Sequence, residues 1–259
     1  MGRSQSMSNF KRTDSRSNLK KPDKSSRASS GGSFAAFNKV KSTSSPKRDF
    51  QKKQSKETLP DVDEKTSSKV VYLSPDECGK KMKNYLKEYF VGGDTDDIVL
   101  SIHELIGVGS EGSIDRGTKV IESSVLMLLE MKAENVEKFL TVITRCITEN
   151  KIESKSIISG LNDPLEFLSD IAIDAPLATS HLVTIVSKII ESGTIKFDFL
   201  LDAPQYFLTD GGAAMFGCKV LKKMGGDSVS SESNIDIIEK LMTAADKEQF
   251  PSGAKDMLC

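Results

Sequence analysis

Residues 74–107 have the sequence SPDECGKKMKNYLKEYFVGGDTDDIVLSIHELIG, and this stretch contains two complete helix signals. Ser74, Pro75 and Glu77 match a capping box, with Ser at the N-cap, Pro at the first helical position and Glu at the third. The apolar residues that follow recur about every 3.6 residues, as they do on one face of a helix. A glycine pair ends this helix, and a second helix with the same period ends at Gly107. The stretch therefore predicts a helical hairpin.

The same helical period continues toward the C-terminus, and no alternating, strand-like stretch interrupts it. Pairs of helices begin near residues 74, 114 and 154, a step typical of HEAT-like hairpins. The Asp163–Pro164 pair predicts a kink or restart in the helix that begins near residue 154, because proline interrupts helical hydrogen bonding. Because each hairpin leaves an apolar face that only its neighbours can cover, the pattern predicts an all-α domain of stacked helical hairpins over residues 70–225.

Outside this region the composition changes. Residues 1–69 carry 17 Lys and Arg against 7 Asp and Glu, whereas residues 70–259 carry 19 against 30. Only 8 of the first 69 residues are Leu, Ile, Val or Phe, too few to bury a core, so we expect a disordered basic tail. Residues 226–259 are predicted to form a weakly ordered tail with one short helix.

The basic tail suits a polyanion, since Lys and Arg neutralise phosphates and interleaved Phe side chains can stack on bases. A solvated linker without a partner is the alternative interpretation. Three serines follow a basic residue three positions back and are candidate phosphorylation sites: Ser6, Ser15 and Ser30. The first six residues also fit the N-myristoylation pattern. The candidate RNA-binding residues are Lys11, Arg12, Arg16, Lys20, Lys21, Lys24 and Arg27.

Several function classes lack their required residues. No apolar run is long enough to span a bilayer and no signal-peptide core is present, so we expect a cytoplasmic protein and no membrane partner. The four cysteines are far apart and there are only two histidines, which predicts no metal, no cofactor and no enzymatic activity. Residues 107–112, GVGSEG, satisfy Gly-x-Gly-x-x-Gly, but the preceding helical spacing indicates a turn between helices instead of a dinucleotide site.

Residues 165–176, LEFLSDIAIDAP, contain two acids four residues apart. Asp170 and Asp174 are predicted to share one face at the C-terminal end of a helix, where negative charge is unfavourable for the helix dipole. Such a placement favours a role in binding a basic partner. Alternatively, Asp174 caps a helix that starts at Pro176.

Three stretches of the chain resemble the MA-3 domain family. Residues 83–97 are similar to the family's first helix and turn, residues 103–105 to the end of its second helix, and residues 170–176 to its acidic turn. The resemblance covers roughly residues 70–202 and is closest to the translation initiation factor 4 gamma scaffolds. It implies an atypical HEAT-like fold that binds the DEAD-box initiation helicase, factor 4A. The family's helicase-contacting acids fall on Asp170 and Asp174, with Pro176 fixing the turn.

The leading hypothesis from the sequence is a translation initiation adaptor. Its acidic helical surface would bind the initiation helicase and its basic tail would contact mRNA or another RNA. A translational repressor that competes for the same helicase is the first alternative. An RNA-binding or splicing-associated protein with a purely structural helical domain is the second.

Overall fold

The computed structural model describes residues 71–209 and 212–259, and these residues form fourteen α-helices, one 3₁₀-helix and no strand. The predicted all-α class is therefore confirmed. The α-helices span Pro75–Gly92 (α1), Thr95–Ile106 (α2), Ser113–Leu129 (α3), Ala133–Thr148 (α4), Ser154–Gly160 (α5), Asn162–Glu166 (α6), Leu168–Asp174 (α7), Ala178–Glu191 (α8), Gln205–Thr209 (α9), Gly212–Met224 (α10), Asp227–Ser230 (α11), Glu232–Leu241 (α12), Ala244–Gln249 (α13) and Ala254–Leu258 (α14). The 3₁₀-helix spans Phe197–Asp202.

The helices form two layers. Helix α1 packs on α3 and α3 on α5, while α2 packs on α4 and α4 on α8. The first-layer helices begin at residues 75, 113 and 154, which confirms the repeat spacing predicted from the sequence. Their apolar stripes meet in one continuous core, as expected for HEAT-like stacking.

The helix ends have the predicted caps. The Glu77 backbone N–H donates to Ser74 Oγ, and the Ser74 backbone N–H donates to the Glu77 carboxylate at 3.1 Å. The hydrogen bond from the Ser74 side chain is the main cause that lowers the pKa of Glu77. Gly107 ends α2 in the left-handed region with φ 59°, a conformation that glycine adopts without strain.

Close contacts between first-layer helices depend on glycine. A Cβ atom on Gly117 of α3 would lie 2.6 Å from Ser156 Oγ of α5. A Cβ atom on Gly160 of α5 would lie 2.7 Å from Ile121 Cβ of α3. Both separations are shorter than van der Waals contact, so these two helices approach more closely than larger residues would permit.

The glycine-rich loop at residues 107–112 joins α2 to α3, so the element before it is a helix, as predicted. Arg116 of α3, only 5% exposed, holds this loop. Its guanidinium donates to the backbone oxygens of Ile106 at 2.8 Å and Glu111 at 3.0 Å, and to Ser110 Oγ at 2.6 Å. It also lies 4.4 Å from the centre of the Tyr72 ring. The loop is thus fixed by a buried cation instead of lying open to a phosphate.

The helix that begins near residue 154 was predicted to be interrupted at residues 163–164, but the structure interrupts it at other positions. The regular helix is interrupted at Leu161, which stays in the right-handed region, and at Phe167, which leaves it; these points lie on either side of the predicted one and divide the segment into α5, α6 and α7. Pro164 lies inside α6 as its third residue. Proline is tolerated there because the first-turn N–H groups have no partner within their own helix.

The C-terminal segment also differs from expectation. One short helix was predicted in residues 226–259, and the structure has four there, α11 to α14. Helix α12 packs on α10 and the 3₁₀-helix, and α14 packs on α10 and α12. Ile238 and Ala254 are fully buried by these contacts. The segment is therefore packed onto the core as an extension of the helical stack and does not form the weakly ordered tail that was predicted.

No helix in residues 71–209 or 212–259 is both long and apolar enough to cross a membrane.

Candidate functional site

Helix α7 and the residues that follow it carry the predicted helicase-binding side chains. Asp170, Asp174 and Pro176 are all exposed. They line one side of an open groove of about 640 Å³. Leu129 and Glu130, at the C-terminal end of α3, line the opposite side. The structure thus brings the three predicted residues together on one accessible surface, which we call the acidic groove.

The placement of the acids differs from the sequence interpretation. Because one helix ends and the next begins at Phe167, Asp170 lies in the first turn of α7, where a carboxylate is favourable for the helix dipole. Only Asp174 lies at the helix C-terminus. Asp174 also does not cap the following helix, since α8 begins at Ala178 with Leu177 at its N-cap position. The capping alternative for Asp174 is therefore wrong.

Glu130 is a third acid of the groove that the sequence interpretation did not include. It is exposed and lies at the C-cap of α3, forty residues before Asp170. Stacking of the hairpins brings the two together, because equivalent positions of successive hairpins are adjacent in a helical repeat. The repeat step of about forty residues is the sequence signal that could have predicted this pairing.

Exposed apolar side chains surround the acids. Ile173 is 78% exposed, Leu177 59% and Phe167 47%. Leu177 lines the acidic groove, while Ile173 lies in α7 and Phe167 at its N-cap position. Single exposed apolar residues are common, but three within eleven residues favour a protein-binding surface.

The acidic groove has the electrostatics of a docking surface. None of its three acids takes part in an ion pair within the described ranges, so their charges are available to a partner. In the same ranges no three Asp, Glu, His or Cys side chains are close enough to hold a metal ion. Separated carboxylates of this kind suit an extended basic protein surface.

The remaining candidate residues have structural positions. His103 lies in the last turn of α2, where Gly107 N–H donates to its backbone oxygen. His181 is buried in α8, and among the described residues its Nδ1 atom has no hydrogen-bond partner. Of the cysteines, only Cys259 is exposed, and Cys146 is fully buried.

The predicted RNA-binding residues between positions 11 and 27 lie outside the described residues, and so do the predicted phosphorylation sites at Ser6, Ser15 and Ser30. These assignments stay predictions from the sequence.

Comparison with known proteins agrees with the helical architecture. Residues 78–196 match the family model of the MA3 domain. The chain is 30% identical over 134 residues to a protein of Arabidopsis thaliana named MA3 domain-containing translation regulatory factor 1. The match covers 52% of this chain and 18% of the relative, so this chain spans under a fifth of the relative's own length. No solved structure matches the chain.

Proposed function

Since this chain belongs to the MA3 domain family through residues 78–196, we propose that it is a non-enzymatic translation adaptor that binds the DEAD-box initiation helicase, factor 4A. In this proposal the acidic groove is the binding surface, with Asp170, Asp174 and Glu130 contacting basic residues of the helicase. Pro176 fixes the turn at the end of α7. The name of the Arabidopsis relative supports a role in translation.

The observation that carries the proposal is the accessible charge of the acidic groove. Asp170 and Asp174 are both exposed and unpaired within the described residues, and apolar side chains flank them. Exposed charges of one sign accelerate encounter with a partner of the opposite sign and set the orientation of docking. Burial of the neighbouring apolar side chains then supplies affinity.

The test is a capture assay with the purified full-length chain and purified helicase. Asp170→Lys combined with Asp174→Lys is expected to abolish capture, because two attractive charges become repulsive. The matched control is Glu232→Lys with Asp236→Lys on α12. These two residues are also exposed, have the same four-residue spacing and undergo the same change of charge.

Circular dichroism should show that both double variants stay helical. Undiminished capture by the groove variant would remove the site assignment. Equal loss in the α12 control would show that net charge, and not the groove, controls binding.

We further propose that the basic tail holds RNA near the helicase, which would raise the effective concentration of two weakly bound partners. Replacing the seven candidate Lys and Arg residues by Gln in the full chain should weaken binding to single-stranded RNA. The salt dependence should flatten at the same time, by about 0.7 in the log–log slope for each phosphate that is no longer neutralised. An unchanged slope would assign the tail to a linker role.

The sign of the effect on translation separates the adaptor from the repressor. The relative's name specifies regulation and not its direction. Adding the purified chain to a cell-free translation reaction should raise protein synthesis if it recruits the helicase. A fall that added helicase reverses would identify the repressor instead.

A further inference from the structure

The side of α7 that faces away from the acidic groove borders a second cavity, of about 190 Å³. Leu165, Leu168 and Met215 contribute to its walls. Phe207 and Phe216 also line it and pack against each other edge to face, with ring centres 5.6 Å apart. We call this cavity the apolar pocket. The half-buried Glu166 and the exposed Lys219 also line it and give it a polar rim.

Helix α7 separates the apolar pocket from the acidic groove. Asp170 and Asp174 line the groove, whereas Ser169 lines the pocket. At 100° per residue, Ser169 and Asp170 lie on either side of Ile173, which is 78% exposed and forms the crest of the helix. A protein segment that crosses this crest therefore contacts both cavities.

The size and lining of the apolar pocket define its occupant. A cavity of 150 Å³ lined by apolar side chains is large enough for benzene, so about 190 Å³ holds one phenyl ring. At many interfaces a few side chains, aromatic ones prominent among them, supply most of the binding energy from well-packed pockets. The Phe207–Phe216 pair offers ring edges and faces that suit another aromatic ring.

We propose that the apolar pocket receives one aromatic side chain from the same basic segment that docks on the acidic groove. The inference rests on the proposed function and adds a recognition rule to it. Because a helix with its side chains is about 10–12 Å wide, and an extended chain advances about 3.3 Å per residue, the aromatic residue should precede or follow the basic residues by about three positions.

The first test uses peptides and requires no helicase. The full-length chain, labelled at its methionine methyl groups, is titrated with acetyl-FGSRR-amide and with acetyl-AGSRR-amide, in which the first Arg is three positions after the variable residue. The phenylalanine peptide should shift the Met215 methyl resonance and bind at least about tenfold more tightly than the alanine peptide. Equal shifts from both peptides, or none from either, would overturn the proposal.

The second test blocks the apolar pocket. Ser169→Phe places a ring at its mouth from an exposed position, and Ser180→Phe on α8 is a matched control because Ser180 is also exposed but lines neither cavity. The Ser169 variant should lose the response of Met215 to the peptide and should capture helicase at least about fivefold more weakly. The Ser180 variant should behave as the unsubstituted chain.

The outcomes separate this proposal from the proposed function. Full capture by Ser169→Phe, with loss of capture in the Asp170 and Asp174 double variant, would reject the pocket and leave the groove in place. If the unsubstituted chain does not capture helicase, the proposed partner is wrong and the peptide titration alone decides the pocket. A dimer of the full chain that Ser169→Phe dissociates would assign the pocket to a second copy and overturn the proposal.

Discussion

Replacing Arg116 by alanine should destabilise the protein severely, although this arginine has no carboxylate within ion-pair distance among the described residues. The side chain is 5% exposed and donates to two backbone oxygens and to Ser110 Oγ. Alanine would leave the Ile106 carbonyl, at the end of α2, without this donor. It would also remove the cation beneath the Tyr72 ring.

The magnitude follows from these contacts. A hydrogen bond to a charged group contributes about 1.5–3 kcal/mol, and Arg116 donates three such bonds. The cost of burying the guanidinium offsets part of their summed contribution. We expect a net loss of about 3 kcal/mol for Arg116→Ala, out of the roughly 5–15 kcal/mol typical of a folded domain. For a denaturant slope near 2 kcal/mol/M, the urea midpoint would fall by about 1.5 M.

The assay is urea unfolding of the full chain, followed by circular dichroism, with Arg145→Ala as the control. Arg145 is 41% exposed and forms ion pairs with Asp96 and Glu149. Exposed ion pairs contribute little because water and salt screen them, so this variant should unfold near the wild-type midpoint. A midpoint shift for Arg145→Ala equal to or larger than that for Arg116→Ala would refute the reasoning.

Three further predictions concern core packing, cysteine reactivity and the pH dependence of stability. Gly160→Ala should lower the free energy of unfolding by about 1–3 kcal/mol, because the new methyl would lie 2.7 Å from Ile121 Cβ; an unchanged melting temperature would contradict this. Burial raises the pKa of Cys146 to about 12, so at pH 8 a thiol reagent should modify Cys259 at once and Cys146 only after unfolding. The Cys146 thiol loses its proton near pH 9 in the unfolded chain but not in the folded one. The free energy of unfolding should therefore fall as the pH rises above about 9. A free energy of unfolding that stays constant from pH 8 to 11 would argue against this contribution.

The helix starts were predictable from the sequence because their signals are local. Ser74, Pro75 and Glu77 define the first cap within four residues, and Gly107 alone provides the left-handed residue that ends α2. The repeat step follows from the same local signals, so the stacked architecture could be predicted without any knowledge of tertiary contacts.

The divisions between α5, α6 and α7 could not be predicted in the same way. Leu161 and Phe167 carry no helix-breaking signal of their own, and Leu161 and Leu165 are both buried in the core, so tertiary packing and not local propensity accompanies the breaks. The prediction was placed at Pro164 because proline is the strongest local helix breaker, but Pro164 lies in the first turn of α6, where its missing N–H removes no hydrogen bond within that helix.

The C-terminal helices were missed for a related reason. Helices α11, α13 and α14 have four to six residues, shorter than the windows in which a helical period can be measured. Isolated helices of this length are unstable in water, so α14 depends on burial of Ala254 and Met257 against neighbouring helices.

The sequence predicted the two acids of α7 but not the surface around them. Asp170 and Asp174 are neighbours on one helix, whereas Glu130 reaches the acidic groove from a different hairpin. The apolar pocket combines residues from five helices, α6 to α10, and no local pattern marks such a combination.

The glycine contacts between α3 and α5 have a consequence for curvature. In a helical repeat the curvature of the stack follows from the small rotation between neighbouring repeats, and closer packing in one of the two layers favours curvature toward that layer. Gly117 and Gly160 permit close contact between α3 and α5, and Gly79 permits it between α1 and α3, where a Cβ atom would overlap Ser123 Oγ; helices α2, α4 and α8 contain no glycine. The curvature of the first layer is therefore expected to depend on these positions without a side chain, and enlarging Gly117 or Gly160 should push α3 and α5 apart.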